Sequence, residues 1–361
     1  MAQAESIREG LWPNPQASYV REQTYGNGGT GEDYVWLSQR IDPSGSLRLR
    51  SRGAEQRATA AREEGRARQA GIVASVRMRF YEVLRFQGQV NAAQHLIARL
   101  ETAVDNVTKR EAAGDASAYD RRRLERELAN MQARWVTLEA GRDRAWASLA
   151  ALVGDERDTS TPWPRVSGTL LPEPLPSENT FAGRLEARPD IQALKNIAAA
   201  AEIEARAASR GWVPELDLGA GWKSIDFGPN RIHGFLAMGA ITLPFADHSQ
   251  DESLRAQGER RRARGERDLA LALARGEIRG LWIAARRLRE TAQRYRENRS
   301  QSSAVLVRTA EAGYRGGELG VLELLDAYRG AEEDEERALD LEFQARRARI
   351  ELELSSGGYA P

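Results

Sequence analysis

The chain has 361 residues, 29% of them charged, with a formal net charge of zero and a mean hydropathy of −0.59. It is long enough for two ordinary domains and too polar for a helical membrane protein, and no run approaches the ~18 apolar residues of a membrane-spanning helix. The balanced charge argues against nucleic acid as a partner, and the absence of cysteine excludes disulfides, thiolate chemistry and cysteine-based metal sites.

The N-terminal residues MAQAESIREG lack an apolar stretch, so no export signal is visible, and residues 1–9 read as the remnant of a truncated first helix. Residues 10–43 read as a β-hairpin: Tyr34, Trp36 and Ser38 point one way, and Val35, Leu37, Gln39 and Ile41 the other. Both faces look mixed, with aromatics such as Tyr19, Tyr25, Tyr34 and Trp36 tending towards strand ends. No proline falls between Pro43 and Pro162, which permits helix on a large scale across residues 44–154. Within it Val76, Phe80, Val83, Val90, Ile97, Leu100, Val104 and Val107 keep the three-and-four spacing of a coiled-coil seam. The turn-compatible stretch at residues 114–119 breaks this region into a helical hairpin whose long arm, at 1.5 Å per residue, would reach about 100 Å.

Residues 155–186 hold five prolines and read as a linker, followed by a helix over residues 187–210 with Pro189 in its first turn. Residues 211–244 form the clearest hairpin, with strands at residues 216–227 and 234–243 and with Gly228, Pro229, Asn230 and Gly234 marking the turn. These strands have the about 9–11 residues needed to cross a bilayer at a tilt. Phe227, Phe235 and Trp222 supply further aromatics. Residues 245–356 read as a second helical hairpin with its turn at 317–322 and a seam through Leu339, Phe343, Ile350 and Leu354, and residues 357–361 as a tail. The two halves repeat. Gly10, Pro13 and Pro43 recur 201 positions on as Gly211, Pro214 and Pro244, whereas the helical turns are 203 positions apart, so a two-residue insertion is expected in the intervening helix.

Catalytic machinery is not visible. His95, His233 and His248 include no pair at ligand spacing, so no metal or cofactor is expected, and Gly219-Ala220-Gly221 lies in a strand without a following helix to make a phosphate loop.

The order of elements resembles the TolC-like outer membrane factor (outer membrane efflux protein) family over nearly the whole chain. The resemblance rests on Pro13-Asn14-Pro15, Leu37-Ser38-Gln39 before Ile41-Asp42-Pro43, Ala187-Arg188-Pro189-Asp190, Pro214, Leu243-Pro244-Phe245, and the run from Ala312 to Leu319. Glu22 and the Asn-Pro-Gln entry to the first strand look more like the CzcC-type cation-efflux branch. The resemblance implies a mainly α fold with a small β part, trimerising into a 12-stranded outer membrane β-barrel continued by a periplasmic α-helical barrel. Physical reasoning agrees: four strands are too few to close a barrel, an open sheet in lipid strands its backbone groups, and three copies give twelve. The implied function is a passive homotrimeric channel in the outer membrane and periplasm of a Gram-negative bacterium, its signal peptide lost or encoded upstream. It would export metal cations or small organic compounds delivered by an inner-membrane pump of the RND or a similar type and a periplasmic adaptor.

The same resemblance implies site residues at the two helical turns. Glu323 and Asp326 fall at the pore constriction, where charged rings select ions. Asp120 and Tyr314 match a latch that holds the closed state by a hydrogen bond; the latch arginine falls at Leu319, leaving Arg315 as substitute. Gly114, Ala116, Ser117, Gly317, Leu319, Gly320 and Val321 would contact the adaptor, the exposed apolar ones needing cover. Two alternatives share these features: the outer membrane channel of a type I secretion system, and a soluble coiled-coil scaffold.

Overall fold

The computed structural model describes residues 2–26, 29–155, 162–226 and 230–359. The elements run α1 (Ala2–Gly10), β1 (Gln16–Gln23), β2 (Gly31–Ile41), α2 (Ser46–Ala113), α3 (Ala118–Val153), α4 (Glu178–Ala182), α5 (Pro189–Ala208), β3 (Glu215–Asp226), β4 (Arg231–Thr242), α6 (Gln250–Gly316) and α7 (Val321–Ser355). The protein is mainly helical with one small sheet, as the proline gaps and alternating segments imply. Two compact units divide it: residues 1–66 with 189–272, and residues 67–188 with 273–361.

In the first unit the two hairpins join into one antiparallel sheet of order β1-β2-β3-β4. The junction is the β2–β3 ladder, which pairs Gly31 with Asp226 at one end and Ile41 with Leu216 at the other. Gly234, expected in the turn, lies inside β4 opposite Lys223, and Phe227 at the expected strand end and the turn residues Gly228 and Pro229 fall outside the described residues. α5 packs by close approach of small side chains, with Ala198 and Ala201 clustered against Ala263. Its carboxylates reach both neighbours: Glu202 lies 3.8 Å from Arg260, and Glu204 pairs with Arg57.

The repeat also shows where the extra residues went. β2 and β4 end at Ile41 and Thr242, 201 positions apart, but α2 and α6 begin at Ser46 and Gln250, 204 apart. The net two-residue insertion expected within a helix is therefore one residue lost from the helix, α6 having 67 residues to the 68 of α2, against three gained in the loop before α6, where Ser249 takes φ +60° as Gly45 takes φ +67° before α2. Physically this is the cheaper place, because two residues inside a helix would rotate every later side chain by about 200°, whereas a loop absorbs them at little cost.

The second unit is a helical bundle. Every member of the α2 seam packs inward: Val83, Leu100 and Val107 are 0% exposed, Val90 2%, and Val76, Phe80, Ile97 and Val104 pack against the core clusters. Side chains from four helices hold the proline-rich linker. Gln87 exchanges two hydrogen bonds with the Val166 backbone (2.9 and 3.0 Å), Trp163 stacks on Trp146 at 5.5 Å, Trp282 donates to Pro176 O at 2.9 Å, and Arg346 donates to the carbonyls of Thr169, Leu170 and Leu171. These contacts satisfy carbonyls that no ladder or helix pairs.

Candidate functional site

The two helical turns of the second unit are built alike. α2 and α6 each stop because the next residue is a glycine in the left-handed region, Gly114 at φ +85° and Gly317 at φ +76°. Asp115 N–H then donates to Arg110 O at 2.8 Å and Gly114 N–H to Glu111 O at 3.0 Å; Glu318 N–H donates to Gly313 O at 2.9 Å and Gly317 N–H to Tyr314 O at 3.3 Å. Each pair is a Schellman closure, which satisfies carbonyls the helix end leaves orphaned. Leu319 folds back over Gly313, where an added Cβ would meet its Cδ1 at 2.7 Å.

The returning helices are capped by acids. Ser117 accepts the Asp120 N–H at 3.1 Å and donates to Asp120 Oδ2 at 2.8 Å, and at the equivalent place in the repeat Glu323 accepts the Gly320 N–H at 3.1 Å. A carboxylate there also meets the positive end of the helix dipole. Arg110, which sequence reasoning missed, links the two turns. Its Nη1 donates to Tyr314 O at 3.0 Å, and its guanidinium lies 5.4 Å from the centroid of the Tyr314 ring.

The expected Tyr314–Asp120 hydrogen bond is not made. Tyr314 is 6% exposed, its hydroxyl has no hydrogen-bond partner among the described residues, and Asp120 is engaged by Ser117, a contact three residues away that forms with the cap itself. Burial holds the Tyr314 phenol above its ordinary value of 10, with the Arg110 guanidinium pulling it the other way. Nor does Arg315 stand in for the absent arginine, since its Nε donates to Glu311 O at 3.2 Å on its own helix.

The remaining tip residues divide by exposure. Gly114, Ser117, Gly317 and Gly320 are exposed or nearly so, Ala116 and Leu319 half-buried, and Val321 is buried in the core rather than offered to a partner. The apolar surface of the tips comes instead from Tyr119 and Leu322, 69% and 53% exposed. Each stands five residues after its glycine, a correspondence the repeat contains and which residue type alone did not flag. Glu323 and Asp326 are both exposed on the first turns of α7. The hydrogen bond that Arg329 donates to Glu127 raises the pKa of that guanidinium, and the charge of Asp326 adds to the effect.

The sheet of the first unit offers a second candidate. Directly paired residues share a face, and the register sorts the strands into two faces that the sequence had left looking mixed. One face carries four rows without a charge: Ile41, Leu216 and Ile241; Gln39, Leu218 and Gly239; Ala17, Leu37, Ala220 and Ala237; and Tyr19, Val35, Trp222 and Phe235. Its aromatics thus form a row across the strands instead of collecting at their ends. Phe235 is 94% exposed, and Tyr19, Leu37 and Ile241 are each more than half exposed, although they belong to an ordered apolar surface. Charges enter on this face only in the rows nearest the turns, where Arg21 and Asp33 lie 3.7 Å apart and His233 stacks on Trp222 at 5.1 Å. The opposite face is mixed: Gln16, Ser18, Glu32, Ser38, Arg40 and Lys223 share it with Val20, Trp36, Ile225, Ile232, Leu236 and Met238. Among the described residues no helix is long and apolar enough to cross a membrane, and no cluster of three or more His, Asp or Glu is arranged to hold a metal ion.

Residues 14–155 match the family model described as outer membrane efflux protein. Over 188 residues the chain is 29% identical to two proteins of Pseudomonas putida strains, the probable efflux pump outer membrane protein SepC and the toluene efflux pump outer membrane protein TtgF, a match covering 51% of this chain and 38% of each relative. The match thus spans less than two fifths of the length of these curated relatives. The outer membrane protein VceC of Vibrio cholerae shares the fold at a TM-score of 0.78 and 20% identity, covering 99% of this chain and 90% of that one.

Proposed function

We propose that the chain belongs to the outer membrane efflux protein family, whose model matches residues 14–155, and that it is one subunit of a homotrimeric conduit through the outer membrane of a Gram-negative bacterium. The observation that carries this reading is the uncharged apolar face of the sheet. In water such a face is a liability, since apolar patches of this kind need cover; in a bilayer it is the surface a β-barrel presents to lipid. The sheet also ends in two strands, β1 and β4, each paired on one side only among the described residues. Lipid does not tolerate such edges, and three copies joined edge to edge would close twelve strands without leaving one.

The conduit is passive, with energy supplied by an inner-membrane pump reached through a periplasmic adaptor. Its cargo is metal cations or small organic compounds, and the name of TtgF favours the organic class. At the tips, Glu323 and Asp326 from three chains would ring the axis and favour cations. Tyr119 and Leu322, with the glycines Gly114, Gly317 and Gly320 and with Ser117, would receive the adaptor. Arg110 on the Tyr314 carbonyl would hold the two turns together in place of a Tyr314–Asp120 latch.

Reconstitution tests the reading. The purified full chain is expected to require detergent, to run as a trimer and to conduct when added to a planar bilayer. A chain that stays monodisperse and monomeric without detergent, and conducts nothing, would be the soluble scaffold instead.

A further inference from the structure

Gly219-Ala220-Gly221, which makes no phosphate loop, lies in the interior of β3 with both glycines on the mixed face of the sheet. Interior glycines weaken a strand, and they mark either a bulge or a place where something approaches the backbone closely. The ladders to β2 and β4 run in unbroken register past both positions, so neither marks a bulge. Gly221 is accounted for by its neighbour, since an added Cβ would stand 2.7 Å from Trp36 Cβ. Gly219 is not: a Cβ there would meet nothing closer than 3.4 Å, an ordinary contact, so packing within the sheet does not demand a glycine. Trp36 on β2 and Leu236 and Met238 on β4 flank this glycine floor, two strand spacings or about 10 Å apart. Trp36 and Met238 remain 36% and 43% exposed. Ion pairs close both ends of the trough, with Lys223 Nζ 2.6 Å from Glu32 and Asp217 3.6 Å from Arg40.

We infer that this trough is a contact site for uncharged, ring-bearing organic solutes in transit through the strand barrel, with Trp36, Leu236 and Met238 as its walls and Gly219 as its floor. The inference rests on the channel reading. Once the uncharged face of the sheet meets lipid, the mixed face lines the water-filled interior, and what reaches it there is what travels the conduit. An uncharged trough between two closed ion pairs holds no fixed charge for a simple ion. A flat ring fits it, because backbone without a Cβ lets the ring lie close, Trp36 offers an aromatic face, and the aliphatic side chains of β4 exclude water from the far side. Three chains place three such troughs at one height.

The test is the single-channel current of the full chain in planar bilayers, with a neutral peptide of three tryptophans, blocked at both ends, added on the side of the strand turns and its glutamine counterpart as the comparison. Interruptions of the wild-type current by the tryptophan peptide should last at least about five-fold longer than those by the glutamine peptide, as one good aromatic contact implies. Gly219→Leu, which fills the trough without adding a charge, and Trp36→Ser, which removes its aromatic wall, should each bring the two dwell times to within about two-fold of each other while unitary conductance persists. Val136→Ser/Leu306→Ser, which removes exposed apolar side chains of α3 and α6, should leave the difference in place. Equal dwell times in the wild type, an undiminished difference in both trough variants, or its loss in the helical variant overturns the inference, and the wild type and helical variant decide alone if the trough variants do not insert. Absence of any conductance in the wild type defeats the channel reading instead.

Discussion

Replacing Ala237 by arginine places a guanidinium in the uncharged row that runs through Ala17, Leu37 and Ala220. Its neighbour Met238 faces the other way, in the row of Gln16, Ser38 and Gly219. Both positions are solvent-accessible in the single chain, so a soluble sheet would tolerate arginine at either. In a bilayer they differ. An arginine at mid-height on a lipid-facing strand costs about 2–4 kcal/mol, so three copies would cost about 6–12 kcal/mol, whereas one on the lumen face costs close to nothing. Urea titration of the protein inserted in vesicles, followed by tryptophan fluorescence, measures the difference directly. Ala237→Arg should lower the midpoint strongly or abolish insertion, and Met238→Arg should match the wild type. Equal tolerance of the two substitutions would refute the assignment of faces, and the barrel with it.

Gly114→Ala and Gly317→Ala should each loosen a tip by about 1–2 kcal/mol, read as faster amide exchange at the ends of α2 and α6, because a Cβ at Gly114 meets nothing within 4 Å and the cost is purely that of a left-handed backbone. Gly330→Ala, in the interior of α7 with equally open space, should instead stabilise by up to about 1 kcal/mol in the same measurement. Arg110→Ala should speed exchange at both turns together, removing a charge-assisted hydrogen bond that contributes about 1.5–3 kcal/mol, with Arg110→Lys restoring only part because an ammonium does not reproduce the guanidinium's fixed fork of donors between the Tyr314 carbonyl and ring. Burial pushes the Glu342 carboxyl above its ordinary value of 4.5, against the pull of Arg296 and Arg299. The resulting instability is absent below that value and grows as pH rises through the raised pKa, so Glu342→Gln should raise the denaturation midpoint at neutral pH and lose the advantage in acid.

The element order was legible because its signals are local. Proline cannot sit in a helix interior, so two long proline gaps left little but helix, and a three-and-four spacing from Val76 to Val107 named the buried stripe of α2. The faces of the sheet were harder to see. Alternation within β2 separated Val35 from Trp36, but whether either face was apolar depended on which residues of β1, β3 and β4 stand beside them, and register is a long-range property. The tips divided in the same way. Gly114 and Gly317 are read from backbone necessity, whereas Arg110 matters only because folding brings the carbonyl of Tyr314, 204 positions away, to its guanidinium. Val321 looked available to a partner because it follows a turn, but the packing of α7 against the bundle claims it.

The linker is hydrogen-bonded through its main chain, with a few side chains as added anchors. Arg346 takes three successive carbonyls and Gln87 binds one residue as a neighbouring strand would. Carbonyls look alike whatever side chain they carry, so apart from the stacked Trp163 and the packed Val166, Leu170 and Pro172 this segment can drift in composition while its spacing cannot change. A one-residue deletion between Trp163 and Pro172 should therefore be felt more keenly than most substitutions within it, and homologues should vary there in letters long before they vary in length.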